Sequence, residues 1–442
     1  MFLELTRRRN PDLIRAAVRL HRERVIPANT YVIDLDTVIA NARAIAEAAE
    51  RTGIQNYFMS KHFNRNPLVS WAIVRAGLPG AVAVDVQCAK YLWRFGVPVK
   101  HVGHLVQIPH SEVPHVLEME PEVWTIYSVD KARELSEAAE RMGRVQPILL
   151  RVRAPQDIIY PNEEGGIWES DLEDAVKQIS RMKGVRIAGT VTFPGTLVSE
   201  AAKGGTATVN FQTAVRAAGQ LRRWGFEVTQ INTPGATSSA MLPVIREHGG
   251  THGEPGHGVM GTTPWHLLED LPERPAMVYV NEVSHTFEDK AYCFGGGFYA
   301  CDTPANRGDD TPFRLSRRWE PHAYVGQSPE DIFDRRLPVD VGSFFGRTLN
   351  ATDYYGGTML MERPDQVKSG DTVIFGFRAQ VFTTRSHVAV VRGVSGTPRL
   401  VGLFDRANNL LDEKGYPVPD SVSAVRELVK RELGVIRQGL CR

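Results

Sequence analysis

Long apolar runs and blocks of like charge are both missing from the sequence. No stretch approaches the 18 or so unbroken apolar residues of a membrane-spanning helix, and no block of five or six residues carries charge of one sign. The 52 Lys and Arg residues nearly balance the 51 Asp and Glu residues, which leaves a formal net charge of +1. We therefore expect a soluble protein that binds neither nucleic acid nor a membrane surface through bulk charge.

Cysteine is also scarce. Four cysteines (Cys88, Cys293, Cys301 and Cys441) form no CxxC pair, and they are too few for a disulfide framework in a chain of 442 residues. The N-terminal segment places arginines among and after its leucines and has no apolar region followed by a small-residue cleavage site. Both features favour a location in the reducing cytoplasm.

The sequence does contain a regular alternation of strand and helix, repeated eight times. The predicted strands lie near residues 56–60, 81–85, 100–106, 122–127, 147–153, 185–193, 227–232 and 249–254. Amphipathic helical patterns lie between them, as at 130–142 and 170–182. Apolar strands that alternate with such helices are typical of a parallel sheet covered by helices. Eight units in about 225 residues favour a closed β/α barrel of the TIM type over an open sheet.

The composition changes near the segment LPERPAM. After it, β-branched and aromatic runs between Gly, Pro and Asp clusters predict a mostly antiparallel β domain, with a last helix over 420–437. Ahead of the barrel, Asn10 as a cap and Pro11 at the first helical position predict a leading helix. The predicted domains are an N-terminal helical segment (1–30), the β/α barrel (31–275) and the C-terminal β domain with its terminal helix (276–442).

Candidate reactive groups should lie just past the C-terminal ends of the barrel strands. Lys61 ends the first strand, where partial burial lowers the pKa of a lysine and favours an imine with a carbonyl cofactor. A lysine that merely extends out of the barrel mouth fits the same pattern. Two glycine-bearing turns, TPGATSS and GEPGHGVMGTTP, follow strands seven and eight. The backbone N–H groups of these glycines, with Thr and Ser hydroxyls beside them, predict a phosphate-binding cradle. Two tight loops without a ligand would have the same sequence pattern.

The ordered motifs resemble one enzyme family. TYVIDLDTVIANARAIAE, followed about twenty residues later by Lys61, resembles the opening of the alanine racemase-like, fold type III pyridoxal 5′-phosphate (PLP) enzymes. The later segments AVAVDVQCAK, ILLRVR, VTFPGT and EPGHG resemble the ornithine and diaminopimelate decarboxylase branch. The resemblance spans about Tyr31 to Pro264. The whole chain also resembles the YhfX-like branch, whose members are labelled amino-acid racemases.

The resemblance implies a PLP site. Lys61 would hold the cofactor, Glu254 would pair with the pyridine nitrogen, and Phe193 would stack on the ring. The other implied cofactor-binding residues are Asp85, Arg151, Thr196, Gly235, Ala236, Thr237, Gly256 and His257. A carboxylate at the pyridine nitrogen keeps a proton there and makes the ring an electron sink. Asp85 and Arg151 fit a structural ion pair as well, and Glu254 fits a polar residue that opens a turn.

Three departures from the decarboxylase pattern matter for the reaction. Phe193 stands where those enzymes stack a histidine, and a phenyl ring cannot transfer a proton. His257 replaces the arginine of the Glu-Pro-Gly-Arg turn, which makes a weaker phosphate anchor. The segment GRTLNATDYYGG has no cysteine next to its aspartate. The missing thiol weakens the case for a decarboxylase.

We therefore expect an amino-acid racemase, an isomerase, that acts at Cα through Lys61. A PLP-dependent decarboxylase, which is a lyase, is the runner-up, followed by a D-amino-acid aldolase or dehydratase. A non-catalytic PLP-binding protein is the alternative from another class. Metal ligation is not expected, because glycines separate His248 from His252 and His387 has no Cys or Asp two residues on.

Racemisation also needs a second acid/base group on the opposite face of Cα. Related racemases take a tyrosine from the β domain of the other subunit. The candidates here are Tyr292, Tyr299, Tyr354 and Asp353. The resemblance therefore implies a homodimer with composite active sites.

Overall fold

The computed structural model describes residues 1–160, 163–288, 290–294, 322–340, 343–344, 347–348, 357–361, 367–379 and 386–434. These residues form two compact units. One unit holds residues 43–61 and 74–256, and the other holds 1–42, 62–73 and the described residues from 257 onward. We call them the barrel unit and the sheet unit. The exact domain limits at 30/31 and 275/276 stay a prediction.

The α-helices of the described residues are α1 (Phe2–Arg9), α2 (Pro11–Arg22), α3 (Leu35–Thr52), α4 (Pro67–Arg75), α5 (Val86–Arg94), α6 (Val113–Glu118), α7 (Val129–Arg141), α8 (Leu172–Ile179), α9 (Val209–Arg223), α10 (Met241–Glu247) and α11 (Ser421–Leu433). The strands are β1 (Thr30–Asp34), β2 (Gln55–Asn56), β3 (Phe58–Met59), β4 (Ala81–Val82), β5 (Val99–Val102), β6 (Val123–Ile126), β7 (Gln146–Arg153), β8 (Ile167–Trp168), β9 (Val185–Val191), β10 (Thr196–Ser199), β11 (Gly204–Ala207), β12 (Gln230–Asn232), β13 (His252–Gly253), β14 (Met277–Phe287), β15 (Lys290–Phe294), β16 (His322–Gly326), β17 (Arg336–Asp340), β18 (Ser343–Phe344), β19 (Arg347–Thr348), β20 (Gly357–Met361), β21 (Thr372–Phe375), β22 (His387–Arg392) and β23 (Arg399–Phe404).

The barrel unit is built on a parallel, nearly closed sheet. Its strand order is β2-β13-β12-β9-β7-β6-β5-β4-β3. β2 and β3 flank Tyr57 in one run of chain, so the path returns to its start. The Met59 N–H donates to the Pro255 carbonyl on one side (2.9 Å), and the Phe58 N–H donates to the Gly80 carbonyl on the other (3.0 Å). The eight predicted strand positions and the predicted β/α barrel are confirmed.

Apolar side chains fill the barrel interior. Tyr57, Met59, Val82, Leu149 and Val191 belong to one buried cluster drawn from strands around the barrel. Such a filled interior leaves only the strand ends for polar side chains, and parallel strands bring their carboxyl ends to one face. The residues that follow these strands therefore gather at one end of the barrel.

The barrel helices begin at polar caps. The Ser128 hydroxyl accepts from the Lys131 N–H (3.2 Å) at the start of α7. The Thr208 hydroxyl accepts from the Phe211 N–H (3.2 Å) at the start of α9. Each cap satisfies an N–H group that the first helical turn leaves open. The predicted helix 130–142 is thereby confirmed as α7.

The sheet unit carries a nine-stranded sheet of order β15-β20-β17-β16-β21-β14-β1-β22-β23. Neighbouring strands are antiparallel except for the parallel pair β1 and β22. β1 belongs to this sheet, although the predicted limits group it with the barrel. The prediction of mostly antiparallel β structure after residue 275 is confirmed.

Two helices at the ends of the chain also match the prediction. The Asn10 side chain accepts from the Leu13 N–H (3.3 Å) at the start of α2. The apolar face of α2 joins the core of the sheet unit, where Ile14 belongs to the same buried cluster as Val278. Asp420 caps α11, which ends at Leu433. No α-helix in the described part of the chain has the length and apolar character that crossing a membrane requires.

Candidate active site

Lys61 lies at the mouth of the barrel. It belongs to a short 3₁₀ helix, Ser60–Phe63, that follows β3 directly. The Ser60 hydroxyl donates to the Val82 carbonyl of the next strand (3.3 Å), which ties the start of this turn to the barrel. Lys61 itself is half-buried. It is also close enough to His104 for its positive charge to lower the pKa of that imidazole.

Glu254 follows β13, the last barrel strand, and its side chain is fully buried. Its Oε1 lies 2.6 Å from the His101 Nδ1 and 2.7 Å from the Asn232 Nδ2. Its Oε2 has no hydrogen-bond partner among the described residues, and the His104 Nε2 lies 3.7 Å from it. The carboxylate therefore has one bonded oxygen and one oxygen left for a further donor.

Glu254 stays ionised despite its burial. Burial by itself raises the pKa of a carboxyl group. The hydrogen bonds that its Oε1 accepts from His101 and Asn232 outweigh that effect and lower the pKa of Glu254. The side chain is thus a carboxylate at neutral pH.

Two further strands support this carboxylate. His101 comes from β5, and its Nε2 lies 2.7 Å from the Thr125 Oγ1 of β6. Asn232 ends β12. Thr125, His101 and Asn232 are all wholly buried. Two strands thus supply donors to one carboxylate oxygen, and a third strand contacts one of those donors.

His104 lies on the same side of the barrel, just after β5, and only 1% of it is exposed. Neither of its ring nitrogens has a hydrogen-bond partner within the described ranges. Burial lowers the pKa of His104 to about 3, so the imidazole is neutral. Its ring meets the Phe193 ring edge to face at 6.0 Å. Buried polar atoms without partners are uncommon in native proteins and indicate a ligand or a catalytic role.

Phe193 follows β9 and contributes to an aromatic wall with His104 and Tyr160. The Tyr160 and Phe193 ring centroids are 5.9 Å apart. The peptide bond from Phe193 to Pro194 is cis. A flat ring could pack against this wall. The predicted stacking role of Phe193 stays a prediction.

Arg151 and Asp85 have separate surroundings. The Arg151 guanidinium is buried, donates to the His104 carbonyl (3.2 Å) and the Glu163 carbonyl (3.2 Å), and contacts the Tyr127 hydroxyl. Asp85 caps α5, where its Oδ1 accepts from the Cys88 N–H (2.7 Å). Within the described part of the chain no ion pair joins the two residues. Their cofactor roles stay predictions.

The turns after β9 and β12 form a second polar feature. The Ala236 N–H donates to the Thr196 carbonyl (3.2 Å), and the Gly195 N–H donates to the Pro234 carbonyl (2.7 Å). Thr196 and Gly235 also form a parallel β-bridge. We call these two turns, residues 195–196 and 233–239, the hydroxyl cradle. Among the described residues, four of its buried hydroxyl oxygens have no hydrogen-bond partner: those of Thr196, Thr233, Thr237 and Ser238.

Gly235 is required by the geometry of the cradle. A Cβ at this position would lie 2.0 Å from the Thr196 carbonyl oxygen, which no side chain could tolerate. Gly256, which the sequence also places at the phosphate, is buried just after Glu254, and the half-buried His257 follows it.

Of the four candidates for the second acid/base group, one lies among the described residues. The Tyr292 ring of β15 stacks on the His285 ring, with centroids 4.7 Å apart and planes 4° from parallel. Tyr299, Asp353 and Tyr354 lie outside the described residues. Their predicted acid/base roles therefore stay predictions.

His248 and His252 have hydrogen-bond partners of their own. The His248 Nδ1 lies 2.9 Å from the Val244 carbonyl, whereas the His252 Nδ1 lies 2.8 Å from the Thr251 hydroxyl. Over the described ranges no three His, Cys, Asp or Glu side chains gather as a metal-binding group.

Two family models match this chain. The alanine racemase N-terminal domain matches residues 33–264, and the YhfX-like C-terminal domain matches residues 278–308 and 340–400. The Escherichia coli protein named "Uncharacterized protein YhfX" is 38% identical over 415 residues, which cover 93% of this chain and 100% of that protein. The chain belongs to the YhfX-like branch of the alanine racemase-fold family. The predicted family is thereby confirmed.

Several solved structures share the fold of this chain at low sequence identity. D-threonine aldolase from Filomicrobium marinum is 14% identical with a TM-score of 0.60, over 87% of this chain and 95% of that one. D-threo-3-hydroxyaspartate dehydratase from a Delftia species is 15% identical with a TM-score of 0.60, over 85% and 97%. Alanine racemase from Corynebacterium glutamicum is 16% identical with a TM-score of 0.54, over 79% and 90%. At these identities the comparisons show a shared fold and nothing further about this chain.

Alanine racemase-fold enzymes use PLP, and the barrel unit of this chain fits that group. The half-buried Lys61 offers an amine at the mouth. The Glu254 Oε2, with no partner in the described part of the chain, offers an acceptor for a protonated ring nitrogen. The hydroxyl cradle offers four donors, again unpartnered within the described residues, for a phosphate. An amine, a carboxylate and a set of hydroxyls match the three polar ends of the cofactor.

Sequence reasoning missed three residues of this site. His101 and His104 form the pattern HVGH across β5 and the turn after it, and Asn232 ends β12, whose sequence is QIN. Polar residues at the carboxyl end of a barrel strand are the available signal. That signal does not say which of them meet Glu254, because their side chains come from different strands.

Proposed function

We propose that this protein is a PLP-dependent enzyme that acts at the Cα of an amino acid and that it racemises that amino acid. Racemisation is placed ahead of decarboxylation because the segment GRTLNATDYYGG has no cysteine next to its aspartate. One observation supports the PLP-dependent activity itself above the others. Glu254 is a buried carboxylate with one oxygen bonded and the other without a partner among the described residues, at the barrel mouth that also holds Lys61. A site for a neutral ligand would gain nothing from a buried, ionised carboxylate.

Each residue has a proposed task. The Lys61 amine holds the cofactor and, once released, takes or returns the proton at Cα. Glu254 accepts the hydrogen bond from the protonated ring nitrogen and keeps the proton there. The hydroxyl cradle binds the phosphate, and the aromatic wall around Phe193 orients the ring and excludes water. When bound, PLP withdraws electrons from Cα and makes its substituents easier to remove.

The second proton-transfer group is proposed to come from the sheet unit, as the resemblance implies. The candidates remain Tyr292, Tyr299, Tyr354 and Asp353. We also propose a homodimer in which one subunit supplies this group to the other.

Decarboxylation remains the second candidate, and Glu254 is the observation that favours it. An ionised carboxylate at the ring nitrogen makes a strong electron sink, which serves the loss of a carboxyl group as well as the loss of a proton. Aldolase or dehydratase chemistry is the third candidate.

One experiment separates these reactions. The PLP-loaded protein is incubated with single amino acids in deuterated water, and the products are analysed by chiral chromatography and mass spectrometry. A racemase incorporates deuterium at Cα and forms both enantiomers without loss of mass from the carboxyl group. Carbon dioxide release would contradict racemisation in favour of decarboxylation. Bound PLP without reaction on any amino acid would indicate a non-catalytic PLP-binding protein.

A further inference from the structure

We propose that His101 is a positioning residue for Glu254, and that with Thr125 and Asn232 it determines which carboxylate oxygen meets the cofactor. This inference rests on the proposed function. His101 itself touches neither the cofactor nor the substrate in this account. It acts through the carboxylate.

The hydrogen bonds to Glu254 are unequal. Two donors converge on Oε1: the His101 Nδ1 at 2.6 Å and the Asn232 Nδ2 at 2.7 Å. Oε2 receives none from the described residues. A network that served only the fold would satisfy both oxygens, because an unsatisfied buried carboxylate oxygen is costly. The asymmetry therefore points Oε2 toward a donor that arrives with a ligand.

Thr125 fixes the orientation of the His101 ring. A carboxylate only accepts hydrogen bonds, so the His101 Nδ1 carries the proton that it shares with Oε1. The Thr125 hydroxyl lies 2.7 Å from the Nε2 on the other side of the ring. This second hydrogen bond holds the ring so that its Nδ1 stays at Glu254.

Burial makes this arrangement strong. The side chains of His101 and Glu254 are wholly inaccessible to solvent, and Thr125 is fully buried. No bulk water can replace a lost donor, and charge-assisted hydrogen bonds are stronger in such surroundings. Removing His101 should therefore rotate or partly protonate the carboxylate rather than leave it unchanged.

The test uses the full chain with three substitutions in this network. His101→Leu removes the donor, His101→Asn retains a side-chain N–H near the position of Nδ1, and Thr125→Val removes only the hydroxyl that orients the His101 ring. Thr190→Val is the matched control for threonine, because the Thr190 hydroxyl is buried in β9 and donates to the Ala214 carbonyl (2.9 Å). His266→Leu is the control for a buried histidine near a carboxylate, since the His266 Nε2 lies 3.8 Å from Glu273.

Two readouts besides activity are measured. They are the dissociation constant of PLP and the absorption spectrum of bound PLP as a function of pH. We expect His101→Leu to weaken PLP binding about tenfold or more, the scale of a hydrogen bond to a charged group. It should also shift the pH titration of the spectrum in the same direction as Glu254→Gln. Thr125→Val should give a smaller shift of the same sign, His101→Asn should restore most of the parent behaviour, and both controls should match the parent.

A double variant separates positioning from general damage. In the Glu254→Gln background, His101→Leu should cause no further spectral shift, because its effect passes through the carboxylate. Additive shifts would overturn the inference. The inference would also be overturned if His101→Leu protein kept the parent spectrum and PLP affinity while Glu254→Gln protein did not. That result would leave the proposed function intact. If His101→Leu does not fold, the milder Thr125→Val decides by the same criteria. A parent protein that binds no PLP would overturn the proposed function and this inference together.

Discussion

A buried carboxylate, Glu254, and a buried imidazole, His104, lie side by side at the mouth of the barrel, and they differ in hydrogen bonding and in charge. Glu254 is supported by donors from β5 and β12, which lower its pKa to about 2. His104 has no hydrogen bond to its ring nitrogens within the described residues, and burial lowers its pKa to about 3. The supported group carries charge, and the unsupported group is neutral. Within the described residues, the Glu254 Oε2 and both His104 ring nitrogens have no hydrogen-bond partner, which is the feature that the proposed function assigns to a ligand.

Glu254→Gln tests the charge without removing the side chain. The amide has nearly the same shape, so we expect the protein to fold and to retain PLP. It cannot hold a proton on the ring nitrogen as a carboxylate does, so exchange of the Cα proton should slow by about 10² or more. The measurement is the deuterium incorporation rate of protein whose PLP content has been verified. Parent rates would mean that the turn at Glu254 is only structural.

His104→Phe tests whether the unsatisfied imidazole serves the fold. Phenylalanine keeps an aromatic ring beside Phe193 and removes two buried nitrogens that lack partners among the described residues, so we expect the free energy of unfolding to rise by about 1 kcal/mol. Amino-acid turnover should fall. The control is His266→Phe, which should lose stability, because the His266 Nδ1 is 2.7 Å from the Thr263 hydroxyl. Urea unfolding monitored by circular dichroism measures both, and a destabilised His104→Phe protein would contradict the expectation.

At the scale of elements, the hydroxyl cradle depends on a close approach of two loops. Thr196 starts β10, and its backbone forms a bridge with Gly235 in the turn after β12. Only a residue without a Cβ permits this contact. The loops in turn hold four buried hydroxyls that have no partner in the part of the chain described.

Gly235→Ala should therefore separate the two loops. The added Cβ would meet the Thr196 carbonyl at 2.0 Å, so the cradle must open, and we expect PLP affinity to fall at least tenfold. The matched control is Gly219→Ala in α9, where an added Cβ meets nothing nearer than 3.7 Å. That control should bind PLP normally and gain up to about 1 kcal/mol of stability, because alanine favours a helix. Equal PLP affinity in the two variants would show that the cradle does not bind the phosphate.

The elements themselves were largely predictable from sequence. Strand positions followed from apolar runs, and the caps Asn10 and Ser128 belong to residue types that begin helices. The position of β1 was not predictable, because the apolar run TYVID suits a barrel strand and a sheet strand equally. The partners of Glu254 were not predictable either. His101 and Asn232 are 131 residues apart in sequence, and only the closed barrel brings them together.

At the scale of the whole molecule, several buried histidines make stability depend on pH. Burial lowers the pKa of His21 and His252 to about 4, and the pKa of His104 and His266 to about 3. In the unfolded chain each would bind a proton near pH 6.5. The unfolded state therefore binds more protons than the folded state between about pH 6.5 and these lowered values, so stability falls as the pH falls. Glu254 contributes nothing to this slope, because its stabilising effect is lost only below about pH 4.5.

We expect the free energy of unfolding to decrease from pH 7.5 to pH 5.5. Each neutral buried histidine contributes about 1.4 kcal/mol per pH unit below its unfolded pKa. Urea titrations across this range measure the change. His266→Phe should reduce the dependence of the free energy of unfolding on pH by the contribution of one histidine. A stability that stays constant or rises toward pH 5.5 would contradict the neutral state of these side chains.

The lysine to which PLP attaches tests the proposed function most directly. Purified protein is loaded with PLP, reduced with borohydride, digested and analysed by peptide mass spectrometry. We expect one modified residue, Lys61, in the peptide that contains NYFMSKHF, and no modification in Lys61→Ala protein. Modification at Lys90 or Lys100, or a Lys61→Ala protein that is labelled like its parent, would contradict it.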